Sequence, residues 1–306
     1  MAHLLDKRFV VIAGKDGVGR TTVSLVLGRL AASRGRRVLV CLCNAPQHYL
    51  ERIGEVKIDA TIRTVSKNLD MVNLEPRASQ EEYGRKIVRN RTVHRLVFGS
   101  RVVRGFLDVV PGLAEWALLG KATFHAMEKS DDKFRYDMVV FDAPATGHGL
   151  DILSLPRAIV SSVPTGQMRE EARSRCKLME DATLCGIIPV TLPEEVGVRE
   201  TIGFVSDLDH LGLSVQRIAV NMVISKMVGS ELAGHVEALP EKNEIPSWLL
   251  PPSVALARQK MQQQSIERLS SLGQVDQILL PMQQGAVFDK TSMKRLVKAF
   301  STSIPR

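Results

Sequence analysis

The chain reads as an α/β protein built on a doubly wound, mostly parallel sheet. Three observations predict this. Seven short apolar segments alternate with helical ones, several of those segments are unbroken runs rich in Val and Ile, and the first passes through a glycine loop into a helix. Unbroken apolar runs suit strands covered on both faces, where no face is left for polar residues. In chain order the strands are expected at residues 9–13, 37–43, 69–74, 137–141, 184–190, 217–221 and 277–280. After the first, residues 21–33 carry Val23, Val26, Leu27, Leu30 and Ala31 at helical spacing. Residues 76–130 and 147–183 are too long for simple crossovers and look helical. They are expected to form one helical layer or subdomain attached to the sheet, within a single domain spanning residues 1–306. Further helices are expected at 251–272 and 289–301, with prolines and charges marking 237–252 as loops. No internal repeat or low-complexity tract interrupts this order.

Composition excludes several classes. With 44% hydrophobic and 24% charged residues the chain has an ordinary globular make-up. Charges interrupt every apolar run before it reaches membrane-spanning length. The opening MAHLLDKR lacks the apolar core of a signal peptide, so a cytoplasmic location is the expectation. Cys41, Cys43, Cys176 and Cys185 form no C-x-x-C pair and read as buried structural thiols rather than metal ligands. Cys41 and Cys43 alternate along one strand and point to one face. Much of the formal net charge of +8 is local. Arg85, Lys86, Arg89, Arg91, Arg95, Arg101 and Arg104 are interleaved with Ile87, Val88, Leu96 and Val97. Such a stretch is a solvated helix face or a contact with an anionic membrane or acidic partner. No nucleic-acid signature accompanies it, so no nucleic acid is expected.

The chemistry starts at the first loop. Residues 9–24 read FVVIAGKDGVGRTTVS, with Gly14, Gly19 and Thr21 at the spacing of G-x-x-x-x-G-K-[ST] and Arg20 in the lysine position. Backbone N–H groups of such a loop, together with the helix N-terminus, hold phosphate oxygens. Thr21 then supplies a hydroxyl to magnesium. Asp142 ends the apolar strand DMVVF, where a carboxylate orders the same ion. ATP or ADP with Mg2+ is therefore the expected cofactor. Its contacts are expected from Gly14, Lys15, Asp16, Gly17, Val18, Gly19, Arg20, Thr21 and Thr22, and the metal is expected at Thr21 and Asp142.

These stretches together resemble the arsenical-pump (ArsA) and tail-anchored-protein-targeting ATPase family, in the deviant-Walker P-loop class that includes MinD. The class pattern KGGVGKTT stands here as KDGVGRTT, and Asp142–His148, DAPATGH, is similar to the family's switch II loop. VTLPEEVGVRETIGFVSDL and RIAVN add to the likeness, which covers nearly the whole chain and marks a divergent, bacterial-type member. The resemblance implies that Lys15 is the signature lysine that reaches the partner subunit's nucleotide. It also implies that Asn221 contacts adenine and that the loop near Pro281 completes the base pocket.

Three departures fall on the chemistry. Arg20 replaces the lysine that spans the β- and γ-phosphates, a planar fork in place of a compact ammonium. Asp16 replaces a loop glycine, adding a carboxylate and a Cβ that restricts the backbone. The family's water-orienting aspartate falls in CNAPQH on Asn44 or Ala45, depending on alignment, and neither can take a proton. The resemblance thus implies a degenerate ATPase subunit of a nucleotide-sandwich dimer, paired with itself or with a catalytically complete paralogue. Two alternatives stand beside it. One is an active ATPase driving dimer closure for client or metalloid handling, and the other a nucleotide-independent scaffold for an apolar helix or an anionic membrane. Met127, Met168 and Met179 would suit an adaptable client groove, or pack within the helical layer. The targeting branch's C-x-x-C and the pump branch's metalloid cysteines have no counterpart in the sequence.

Overall fold

A computed structural model of the chain describes residues 3–52, 57–87, 112–144, 149–224, 250–273, 275–283 and 289–304. The strands are β1 (Phe9–Gly14), β2 (Val38–Cys43), β3 (Arg63–Ser66), β4 (Leu69–Leu74), β5 (Lys129–Ser130), β6 (Lys133–Phe134), β7 (Met138–Asp142), β8 (Cys185–Thr191), β9 (Ile218–Val223) and β10 (Gln277–Pro281). The helices are α1 (Arg20–Ser33), α2 (Gln47–Arg52), α3 (Pro76–Ile87), α4 (Leu113–Met127), α5 (Leu150–Ser162), α6 (Gln167–Glu180), α7 (Glu195–His210), α8 (Leu250–Leu269) and α9 (Lys290–Thr302).

Eight strands form one sheet in the order β10-β9-β8-β1-β7-β2-β4-β3. Every neighbouring pair is parallel except the edge pair β3–β4. The seven expected strands are therefore present, and the doubly wound class holds. Successive residues of β1 go to opposite layers, as the two-residue period requires. Val10 and Ile12 join the core made with α1 and α9, through Val23, Leu27, Met293 and Phe300. Phe9, Val11 and Ala13 join the core made with α4 to α7, through Leu119, Ile152, Leu178 and Leu208. Cys41 and Cys43 lie on this second face together. Burial pushes the Cys41 and Cys185 thiols up to about 12.

Within 76–130 and 147–183 the described residues form α3 to α6, with α3 packed on α4 and α5 on α6. The first stretch is not helical to its end, however. Helix α4 stops at Met127, and β5 and β6 form a hairpin whose turn residues Asp131 and Asp132 have φ of 50° and 60°. Two positive-φ residues are what a tight two-residue hairpin turn demands. The edge strand β3 escaped the sequence because its RTVS is largely exposed and lacks an apolar run. The helix expected at 251–272 is present as α8, which begins at Leu250 and takes Pro251 and Pro252 into its first turn, so the overlapping loop expected at 237–252 does not reach 252. Proline is tolerated there because first-turn N–H groups have no helical partner. The rest of that loop lies outside the described residues, as do Arg89, Arg91, Arg95, Arg101 and Arg104.

Candidate phosphate-binding site

The centre of the site is set by sheet register. β1 lies between β7 and β8, pairing Ile12 with Asp142 and Gly14 with Val190, so three strand ends converge where the loop leaves the sheet. Ligands of open parallel sheets bind at such carboxyl ends. Gly14 passes so close to β8 that a Cβ would stand 2.5 Å from the Val190 carbonyl oxygen. Gly19, with φ of 90°, precedes α1 and supplies no side-chain cap. The first backbone bond of α1 runs from the Val23 N–H to the Gly19 carbonyl, at 3.0 Å. The N–H groups of the residues between them, at the positive end of the helix, have no partner within it, which is the arrangement that holds phosphate.

Asp142 is 4% exposed and accepts two hydroxyl bonds, from Thr21 at 2.7 Å and Ser24 at 3.2 Å. Burial pushes its carboxyl up to about 6, against the opposing pull of the Thr21 bond, the Arg20 charge and the Ser24 bond. Ser24 was missed by the sequence reading, although the signal was present: a second hydroxyl three residues after Thr21 lies on the same helix face. A carboxylate and a hydroxyl in contact are a hard oxygen pair of the type Mg2+ takes, so the residues present fit the ion.

The Arg20 side chain is 11% exposed and turned onto the end of β7. Its Nη1 donates to the Ala143 carbonyl at 2.7 Å, and its Nη2 lies 3.7 Å from the Asp16 carboxylate. Asp16 sits in the loop without strain. Its backbone is not left-handed, because Gly17 takes the turn with φ of 78° while the Asp16 side chain faces solvent. Thr22 shares a 2.7 Å hydrogen bond with the hydroxyl of Tyr49 on α2. Lys15 forms an ion pair with Glu200 of α7 in its own chain.

The remaining expected residues fall on two sides of the loop. Asn44 is exposed with φ of 52°, and its N–H donates to the Leu74 carbonyl at 3.0 Å. Ala45 is buried and clamped by Asn73, which accepts its N–H and donates to its carbonyl, both at 2.9 Å. Asn221 is 4% exposed beneath the loop. Its side-chain amide donates to the Val18 carbonyl at 2.9 Å and leaves a Cβ on Gly19 no room, at 2.2 Å. Asn221 therefore supports the loop. Pro281 ends β10 beside Val223 of β9, flanked by the exposed Met282. Ala145, Thr146, Gly147 and His148 lie outside the described residues.

Comparison with known proteins agrees with this geometry. The family model for the anion-transporting ATPases matches residues 7–170, over half of the chain. The chain belongs to the anion-transporting ATPase family. Among curated relatives of this ATPase family, ATPase BagA of Mycobacterium tuberculosis is 25% identical over 264 residues, covering 83% of this chain and 77% of that protein. The ATPase ASNA1 homolog of Entamoeba histolytica is 25% identical over 256 residues, covering 71% of this chain and 76% of that protein. ATPase get3 of Neurospora crassa is 21% identical over 271 residues, covering 76% and 78%. No helix among the described residues is long and apolar enough to cross a membrane.

Proposed function

We propose that this family member binds ATP or ADP with magnesium but turns it over weakly or not at all, and acts as one half of a nucleotide-sandwich dimer. The observation that carries the proposal is the placement of Arg20. The residue in the phosphate-lysine position has its guanidinium committed to the Ala143 carbonyl, with Asp16 beside it. Phosphoryl transfer is catalysed by positioned positive charge and an oriented nucleophile. Here the first is diverted. The second would fall to Asn44 or Ala45, which have no proton-accepting carboxylate. Binding rests on other groups. The N–H groups at the start of α1 hold the phosphates, and Thr21 and Asp142 hold Mg2+, which when bound neutralises charge on the phosphate oxygens. Lys15, held by Glu200 in its own chain, is free to exchange that surface pair for a partner's nucleotide.

Helices α3 to α6 form a proposed subdomain carried on the second sheet face, with Met127 exposed on α4 toward a client or partner. Met179 supports no groove, since it is buried in the core, at 2% exposure. The test is phosphate release and calorimetry on the purified chain, alone and with candidate paralogues. The expected result is magnesium-dependent nucleotide affinity with little phosphate release by the chain alone. Substantial turnover alone, lost in Asp142→Ala, overturns the degenerate-subunit reading in favour of an active ATPase. Absence of any nucleotide affinity favours the nucleotide-independent scaffold.

A further inference from the structure

A cavity of about 340 Å3 lies among α3, α4 and α6, helices that carry neither the phosphate loop nor Asp142. Arg175 of α6 lines it, and also lines a smaller adjoining cavity of about 210 Å3. The Arg175 side chain is 9% exposed, and its guanidinium is laid in a built slot. The guanidinium carbon stands 3.4 Å from the centroid of the Trp116 ring. On the same helix, one turn on, Gly120 makes room for it: a Cβ there would come within 2.5 Å of Nη2. Nη2 in turn donates to Glu171 at 3.3 Å. The other end of the fork, Nη1, is buried with no hydrogen-bond partner among the described residues. Burial lowers the Arg175 pKa to about 10, with Glu171 opposing, so the group is still cationic at neutral pH. Native proteins rarely leave a buried charged donor unsatisfied, because nothing repays the lost hydration.

We propose that this cavity binds a small monocarboxylic acid with an apolar body, its carboxylate on Arg175 and its body against Tyr83, Ala117 and Phe124. The lining decides the charge of the ligand. Lys121 is already paired with Glu82 at 2.7 Å, and Glu171 already shares Arg175. His125 faces Glu128 at 2.8 Å, and burial lowers its pKa from the ordinary histidine value. One guanidinium nitrogen, the buried Nη1, therefore remains without a hydrogen-bond partner among the described residues, in a lining that also holds Glu82. A single negative charge fits it, whereas a phosphate dianion would be repelled by Glu82 and Glu171. The ring of Phe124, which is 54% exposed, and the Tyr83 ring give the cavity its apolar wall. Ligand sites of this size combine such walls with a few placed polar groups.

The probes are benzoate and hexanoate, followed by calorimetry and by Trp116 emission in a Trp248→Phe background, Trp116 and Trp248 being the two tryptophans of the chain. Saturable benzoate binding is expected, with benzamide and inorganic phosphate inactive. Arg175→Gln is expected to weaken it roughly tenfold or more, as loss of a charge-assisted bond does. Should that variant fail to fold, Gly120→Ala displaces the guanidinium while favouring the helix, and Phe124→Ser removes the wall at an exposed position. Each is expected to lower affinity with the circular dichroism unchanged, and Asp142→Asn to leave it unaltered. Three results overturn the proposal: no saturable binding of either acid up to about 10 mM, equal binding of phosphate or benzamide, or native-like affinity in folded Arg175→Gln, Gly120→Ala or Phe124→Ser.

Discussion

Asp142→Asn is expected to make the nucleotide-free chain more stable above about pH 6, although it removes a residue from the proposed metal site. The Asp142 carboxyl is raised from an ordinary 3.8 to about 6, with burial the largest cause. A carboxyl raised in the folded state keeps its proton after the unfolded chain has lost it. Stability from this group is therefore fully present below the unfolded value, falls as pH rises between the two values, and stays reduced above the folded one. A shift of roughly two units at about 1.4 kcal/mol each gives a penalty of about 3 kcal/mol at neutral pH. Asparagine is never ionised and avoids it. The hydrogen bonds can be kept, because Thr21 can donate to the amide oxygen while Ser24 accepts from the amide nitrogen. Ser24 then turns its single proton to the Arg20 carbonyl, which it meets at 3.0 Å. For a chain of this length the gain corresponds to a melting temperature higher by about 5 °C. Calorimetric melts of both proteins, without magnesium or nucleotide, should show the gap opening between about pH 4 and pH 8. A variant that melts below the native chain throughout, or a gap that does not change with pH, refutes the assigned burial penalty.

Four further outcomes follow from the loop and its surroundings. Gly19→Ala should destabilise by at least about 2 kcal/mol, from a left-handed residue and a Cβ against Asn221, as measured by urea unfolding. Asn221→Ala should cost about 1–3 kcal/mol by stripping the buried Val18 carbonyl of its donor, and the double variant should be less destabilised than the two single costs added, since the clash is gone. Glu200→Gln should change stability by less than about 1 kcal/mol, the pair being exposed, while raising the nucleotide-dependent dimer fraction in sedimentation. An unchanged dimer fraction would show that Glu200 does not hold Lys15 back. Iodoacetamide at about pH 8 should leave Cys41 and Cys185 unlabelled in the native chain, their thiols being buried and raised to about 12; rapid labelling by mass spectrometry would contradict that burial.

Much of the fold was legible because burial on both faces writes a plain signal. Runs such as the FVVIA of β1 and the MVVF of β7 cannot be solvated strands. Where burial was slight, the signal vanished. The exposed RTVS of β3 and the two-residue strands β5 and β6 carry no apolar pattern. The site was legible in part. Gly14, Gly19, Thr21 and Asp142 declared themselves by spacing and by position after a strand, whereas Ser24 needed the helix face to be known.

By itself, the sequence determined the α/β class, the glycine loop between β1 and α1, and the presence of arginine where the phosphate lysine is expected. Those features are local: periodicity, spacing and residue type over a few turns of chain. Only the tertiary structure decided what Arg20 touches, what Asn221 supports and where Lys15 rests, because each meets a residue far along the chain, at Ala143, Val18 and Glu200. It also decided that the Arg175 guanidinium lies in a slot cut by Gly120 and floored by Trp116, with one end of its fork unsatisfied. A side chain's partner across the fold is set by packing of whole layers, and nothing in its own neighbourhood of sequence encodes it.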